Sequence, residues 1–154
     1  MGFDAFYVGG GNTQEMLELW AELKVDQILK AGFDKGMICA GLSAGAICWF
    51  EYGYSDSTRF DNPDDENLIL LKALGFVEGL FSSHHIREPQ RNKQLTQILR
   101  EVPGQKAYAV DDNAAVIVRD GVVSVMSSKS GVGVSVYKNN NGKVDIKKLP
   151  LTKC

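Results

Sequence analysis

Up to Asp112, short apolar runs that end at glycine or polar residues alternate with stretches of helical period. Ala5–Val8 reads as a short buried strand ending at Gly9-Gly10-Gly11, after which Asn12 or Thr13 can cap a helix. Met16, Leu17, Trp20 and Leu23, then Val25, Ile28 and Leu29, recur at helical spacing, and Gly32 ends that region. Met37–Leu42 predicts a second strand and Ala44–Phe50 a helix, while Leu68–Leu71 fits neither period clearly. Leu80-Phe81-Ser82-Ser83 reads as a strand end running into His84-His85. Gln90–Glu101 predicts a helix that stops before Pro103-Gly104, and Tyr108–Val110 a strand ending in Asp111-Asp112. Beyond this point the pattern changes. Ala115–Arg119 and Val122–Met126 flank Asp120-Gly121, and Val132–Tyr137 and Val144–Ile146 flank Asn139-Asn140-Asn141-Gly142. Both are hairpin signatures. The order predicts a single α/β domain over residues 1–154: a mostly parallel, helix-flanked sheet with C-terminal antiparallel hairpins.

Chemistry concentrates at the predicted strand ends. Gly41-Leu42-Ser43-Ala44-Gly45 has the Gly-x-Ser-x-Gly form of a nucleophile elbow between a strand and a helix. Its glycines permit a sharp turn and close approach of strand to helix, and the turn lifts the Ser43 hydroxyl clear of the sheet. A helix beginning at Ala44 would aim N–H groups at charge developing beside the serine. The alternative is a small-residue turn with no chemical role. The chain has two histidines, His84 and His85, adjacent at one strand end, and Asp111-Asp112 lie at another. A serine needs a base at neutral pH, and an imidazole base needs an acceptor that fixes its tautomer. Taken singly, the histidines read as structural groups and the aspartates as turn residues or caps. A His-His/Asp-Asp metal site ranks low, because adjacent strand residues point to opposite faces.

The Gly9–Thr13 loop offers a backbone N–H to an anion but fails the dinucleotide pattern, since the third glycine should fall at Gln14. It also lacks the lysine of a phosphate-binding loop. An oxyanion hole uses the same physics, with Gly11 and Ala44 N–H groups as the two donors.

Composition narrows the partners. Seventeen basic and nineteen acidic side chains leave a net charge of −2, with no basic stripe, so nucleic acid is not expected. Asp61-Asn62-Pro63-Asp64-Asp65-Glu66 reads as a solvated acidic loop; the ligand spacing of a calcium loop is absent. Three cysteines without a Cys-x-x-Cys pair suit buried thiols and a reducing cytoplasm. No run is long enough for a membrane span, and no signal-peptide core follows Met1.

Val8-Gly9-Gly10-Gly11-Asn12-Thr13, then Gly41-Leu42-Ser43-Ala44-Gly45-Ala46, then a strand-terminal histidine, then Val110-Asp111-Asp112-Asn113-Ala114-Ala115, together resemble the aspartyl dipeptidase (dipeptidase E) and cyanophycinase family of serine peptidases. The resemblance runs from Phe6 to about Tyr137. It implies a fold related to class I glutamine amidotransferases and a triad in the order Ser, His, acid. It implies Ser43 as nucleophile, His85 as base (with Ile86 in the large apolar place after it) and Asp112 as the acid, Asp111 being the alternative. It implies Gly11 as oxyanion donor with Asn12 beside it, a small peptide substrate and no cofactor. Aspartyl selectivity in the family uses an arginine after the histidine, for which Arg87 and Arg91 are candidates, although Glu88 would oppose an acidic substrate. Family members carry a region before the glycine motif that is not found here, so an uncovered strand and a homodimer are expected. A non-catalytic scaffold and a small-ester hydrolase are the competing readings.

Overall fold

The computed structural model describes residues 2–65, 67–85, 89–101 and 105–152. The chain is α/β and falls into two compact units, Met1–Glu78 and Gly79–Cys154.

In the first unit β1 (Ala5–Val8) runs parallel to β2 (Ile38–Gly41), with Val8 opposite Gly41. Between them lie α1 (Thr13–Glu22) and α2 (Val25–Phe33). The single helical region expected from the periodicity is thus two helices. Lys24 separates them with φ 59°. At the helical period Val25, Ile28 and Leu29 fall on a different face from Met16, Leu17, Trp20 and Leu23, so a change of phase marks the break. The one-turn helix α3 (Ala44–Ile47) follows β2. The helix expected to reach Phe50 stops short, because β3 (Phe50–Ser55) begins there and pairs antiparallel with β4 (Ile69–Lys72). Cys48, Trp49 and Phe50 are all buried, and an all-apolar run carries no period that separates helix from strand.

Trp49 is the hub of this unit. Its ring meets Phe6, Trp20 and Phe76 at centroid distances of 6.5, 6.5 and 5.8 Å, and Phe33 stacks on Phe76 at 4.6 Å. These contacts hold one face of the β1–β2 pair. Its other face carries Ala5, Tyr7, Ile38 and Ala40 and is exposed, with Tyr7 and Ile38 each at 65%. β1 is therefore not the buried strand its composition suggests; only Val8 is buried. Among the described residues it pairs with β2 alone.

The second unit contains most of β5 (Val77–Ser82), then α4 (Pro89–Glu101), β6 (Lys106–Val110), β7 (Ala114–Arg119), β8 (Val122–Ser127), β9 (Val134–Asn140) and β10 (Lys143–Lys148). β5 and β6 are parallel; β6–β9, β9–β10 and β7–β8 are antiparallel. Both hairpins turn at the residues anticipated. Asp120 and Gly121 have φ 51° and 75°, and Asn141 and Gly142 have φ 52° and 87°, the paired positive values of a type I′ turn. Among the described pairings the antiparallel ones outnumber the parallel, a correction to the mostly parallel sheet expected. The chain returns locally through hairpins, where each crossover helix would have added a parallel neighbour. Asn139 fastens α4 to this sheet: its buried amide donates to the Leu99 carbonyl at 2.7 Å and its oxygen accepts the Gly142 N–H at 2.8 Å.

β3 lies so close to α3 that a Cβ on Gly53 would stand 2.0 Å from Ile47 Cγ2, a stiff β-branched methyl. Gly53→Ala is expected to cost about 1–3 kcal/mol. The urea midpoint measures this, and an unchanged midpoint would refute the close packing.

Candidate active site

Ser43 sits between β2 and α3 with φ 52° and ψ −119°. These are the angles of the first central residue of a type II′ turn, a place where glycine is at home and a serine is strained. Such strain costs on the order of 1–3 kcal/mol and persists only where the surroundings enforce it. Here the enforcement is backbone against backbone. A Cβ on Gly45 would lie 2.2 Å from the Val8 carbonyl oxygen and 2.6 Å from that of Gly9. One on Gly41 would lie 2.2 Å from the Gly45 oxygen and 2.7 Å from that of Val8. The Leu42 N–H donates to Val8 at 3.2 Å, and the Gly45 N–H donates back to Leu42 at 2.9 Å. Ala46 and Ile47 both donate to the Ser43 carbonyl at 2.9 Å. The elbow read from the sequence is built as one, and both of its glycines are required.

The glycine loop adjoins it. A Cβ on Gly10 would stand 3.2 Å from Leu42 Cδ1 and 3.5 Å from Ser43 Cβ, so the loop passes directly beside the serine. Gly11 has φ 150° with open space around it. Asn12 caps α1: its Oδ1 accepts the Gln14 N–H at 3.1 Å and the Glu15 N–H at 3.3 Å. The same Gln14 N–H reaches Ser57 Oγ at 3.1 Å. Ser57 belongs to a buried hydroxyl cluster in which Ser55 donates to Thr13 Oγ1 at 3.1 Å and lies 2.8 Å from Ser57 Oγ. This cluster pins the start of α1, and with it the loop. No sequence motif announces it. Asn12, expected beside a substrate, spends its side-chain oxygen on the cap.

In the second unit His84 and His85 follow β5. His84 has φ 56° and its Nδ1 lies 2.5 Å from Asp112 Oδ1. His85 takes a different partner: its Nε2 lies 2.9 Å from the Tyr137 hydroxyl, which itself donates to Asn92 Oδ1 at 3.2 Å. With that proton given to Asn92, the imidazole donates Nε2–H and keeps its lone pair on Nδ1. The structure thus brings Asp112 to His84, not to His85. Asp111, the alternative acid, is bound to the start of β9: its carboxylate accepts the Gly133 N–H at 2.9 Å and its own N–H donates to the Gly133 carbonyl at 3.0 Å. Arg91 is fully buried. Arg87, Ile86 and Glu88 lie outside the described residues. Tyr137 and Asn92 are members of this cluster that the sequence reading missed, since neither belongs to a motif.

Burial pushes the His85 imidazole below its ordinary value; the Asp111 carboxylate opposes the shift and the Arg91 guanidinium adds to it. Burial, with Asp111, pushes the Tyr137 hydroxyl up. In the first unit burial raises the Cys48 thiol strongly, with Cys39 adding to it.

The family model described as peptidase family S51 matches residues 1–126. The chain belongs to this family. It is 39% identical over 152 residues to a protein of Bacillus subtilis (strain 168) named uncharacterized peptidase YgaJ. That alignment takes in 98% of this chain and 62% of the relative, so the chain spans less than two thirds of the relative's length. No helix among the described residues is long and apolar enough to cross a membrane.

Asn12→Ala is expected to lower stability by about 1 kcal/mol through loss of the cap, seen as a lower denaturation midpoint. His85 sets a second expectation. The folded chain binds its proton less readily than the unfolded chain, whose value is ordinary, 6.5. Its contribution to stability is therefore complete above about pH 6.5 and is lost as the pH falls below that toward the folded value. Denaturation midpoints between about pH 7.5 and 5 should fall more steeply for the wild type than for His85→Gln; parallel profiles would contradict this.

Proposed function

We propose that the chain carries the catalytic groups of a serine peptidase acting on small peptides, as a dipeptidase. The observation that carries this is Ser43 held in a strained II′ geometry by two indispensable glycines, in a chain of peptidase family S51. Ser43 Oγ attacks the scissile carbonyl as His85 takes its proton. The Gly11 and Ala44 N–H groups receive the oxyanion. Protonated His85 then gives its proton to the leaving amine, and water releases the acyl group by the same steps. Asp112 as the acid of this triad follows from the resemblance alone, since its carboxylate meets His84 here. The related fold, by resemblance, is that of class I glutamine amidotransferases.

One contact favours a second assignment of the base. His84 has its Nδ1 on the Asp112 carboxylate, the arrangement that fixes an imidazole with its other nitrogen available to a serine. In that assignment His85, bonded to Tyr137, is a neighbouring structural group.

Asp-x peptides follow from the resemblance, with Arg87, Arg91 and Asn12 as substrate-binding residues. The charge of Arg91 is felt at His85, which supports placing it near the chemistry. The exposed face with Tyr7 and Ile38 supports covering by a second copy as a homodimer. Free thiols at Cys39 and Cys48 support a cytoplasmic setting.

A fluorophosphonate should label Ser43, and Ser43→Ala should abolish both labelling and dipeptide hydrolysis, a loss on the order of 10⁴-fold in kcat. His85→Ala is expected to match that loss while His84→Ala retains turnover; the reverse result selects the His84 assignment. Absence of labelling would leave a non-catalytic scaffold, and turnover of acetyl esters without dipeptides would leave an esterase.

A further inference from the structure

One feature of the first unit lies outside the catalytic groups. An open groove of about 310 Å³ runs along α1 from the glycine loop. Gly10 and Gly11 form its head, Met16, Leu19 and Trp20 its body, and Glu15 adds a carboxylate. Its head is beside the nucleophile, because a Cβ on Gly10 would approach Ser43 Cβ to 3.5 Å.

The body of the groove is apolar, while Asn12 and Glu15 line it nearer the glycines. Met16, Leu19 and Trp20 follow the i, i+3, i+4 spacing of one helical face. Trp20 is steadied from behind by Trp49 at 6.5 Å. Leu19 is 52% exposed, so an occupant would remove apolar surface from water on both sides. Around it the helix surface is acidic: Glu15, Glu18 and Glu22 lie on α1, and the helix has no basic residue in its last turn. No cation in the groove would hold a carboxylate.

We infer that this groove is a specificity subsite that takes the uncharged apolar side chain, of leucine, methionine or phenylalanine type, of a residue flanking the scissile bond, and disfavours an aspartyl side chain there. The inference rests on the peptidase reading above. It places selectivity for acidic residues, where there is any, on the other side of the bond. Gly11, proposed to hold the carbonyl oxygen, lies at the groove head, so a peptide bound there lays an adjoining side chain toward Met16, Leu19 and Trp20.

The test is a panel of dipeptides X-Ala and Ala-X, with X leucine, methionine, phenylalanine, aspartate or lysine, assayed for kcat and KM. At one of the two positions the apolar residues should exceed aspartate by about tenfold or more in kcat/KM. Leu19→Ser alters an exposed side chain and should raise KM for the preferred peptides by about fivefold with kcat kept, the mark of lost ground-state binding. Trp20→Ala should do the same more strongly; where loss of the Trp49 contact unfolds it, Leu19→Ser carries the test. Glu15→Gln should improve the aspartyl peptide at that position and leave the leucine peptide unchanged. Turnover with a flat panel, or a preference that survives both Leu19→Ser and Glu15→Gln, overturns the groove and leaves the peptidase reading standing. Turnover of no peptide sinks the peptidase reading instead. Equilibrium dialysis of Leu-Ala and Asp-Ala then decides the groove: tighter Leu-Ala binding that Leu19→Ser removes supports it, and equal or Leu19-independent binding overturns it.

Discussion

The first unit depends on three backbone segments meeting without side chains between them. The Val8 carbonyl, Gly41 and Gly45 approach so closely that no Cβ fits at either glycine. That contact joins the end of β1, the end of β2 and the single turn of α3. Its consequence is the conformation of Ser43, which a flexible loop would relax and this junction cannot. A hydrogen-bonded turn alone would leave the serine free to move. Backbone in contact with backbone on two sides does not.

Everything that could act beside Ser43 in this unit is positioned from the same junction. The glycine loop leaves Val8 and passes the serine before α1 begins. Its far end is held by a doubly accepted Gln14 N–H, through Asn12 and Ser57, and by the buried Thr13–Ser55–Ser57 hydroxyls. A loop fixed at both ends loses little further freedom when a charge develops against its N–H groups, which is the condition for electrostatic preorganisation. The groove along α1 inherits the same fixed head.

The second unit carries a different kind of constraint, set by hydrogen bonds and charge. Its two adjacent histidines are sorted by their partners. His84 meets a carboxylate, and His85 meets a phenol that is committed to Asn92. Asp111 and Asp112 are likewise separated, one tied to Gly133 through its carboxylate and its own N–H and the other turned to an imidazole. Both pairs lie just past their strand ends, where His84 takes a left-handed backbone, so neighbours of one type acquire unlike environments.

The sequence by itself determined the features whose physics is local. The elbow was legible because a II′ serine between two contact glycines needs those residues at that spacing. The cap at Asn12 and both I′ hairpins were legible because their turn chemistry is written in consecutive residues. The nearby strand ends, the α4 helix and the family itself followed from the same local motifs. Tertiary structure decided the rest. It ended α3 before β3 within a run buried on all sides, where no period survives. It set a left-handed backbone at Lys24 between α1 and α2. It left one face of the β1–β2 pair uncovered although its composition reads as core. It buried Arg91, a residue whose charge alone suggests a surface. It also chose Asp112 for His84 and Tyr137 for His85. Partners far apart along the chain are selected by packing and by the desolvation of polar groups, and neither quantity exists until the chain has folded.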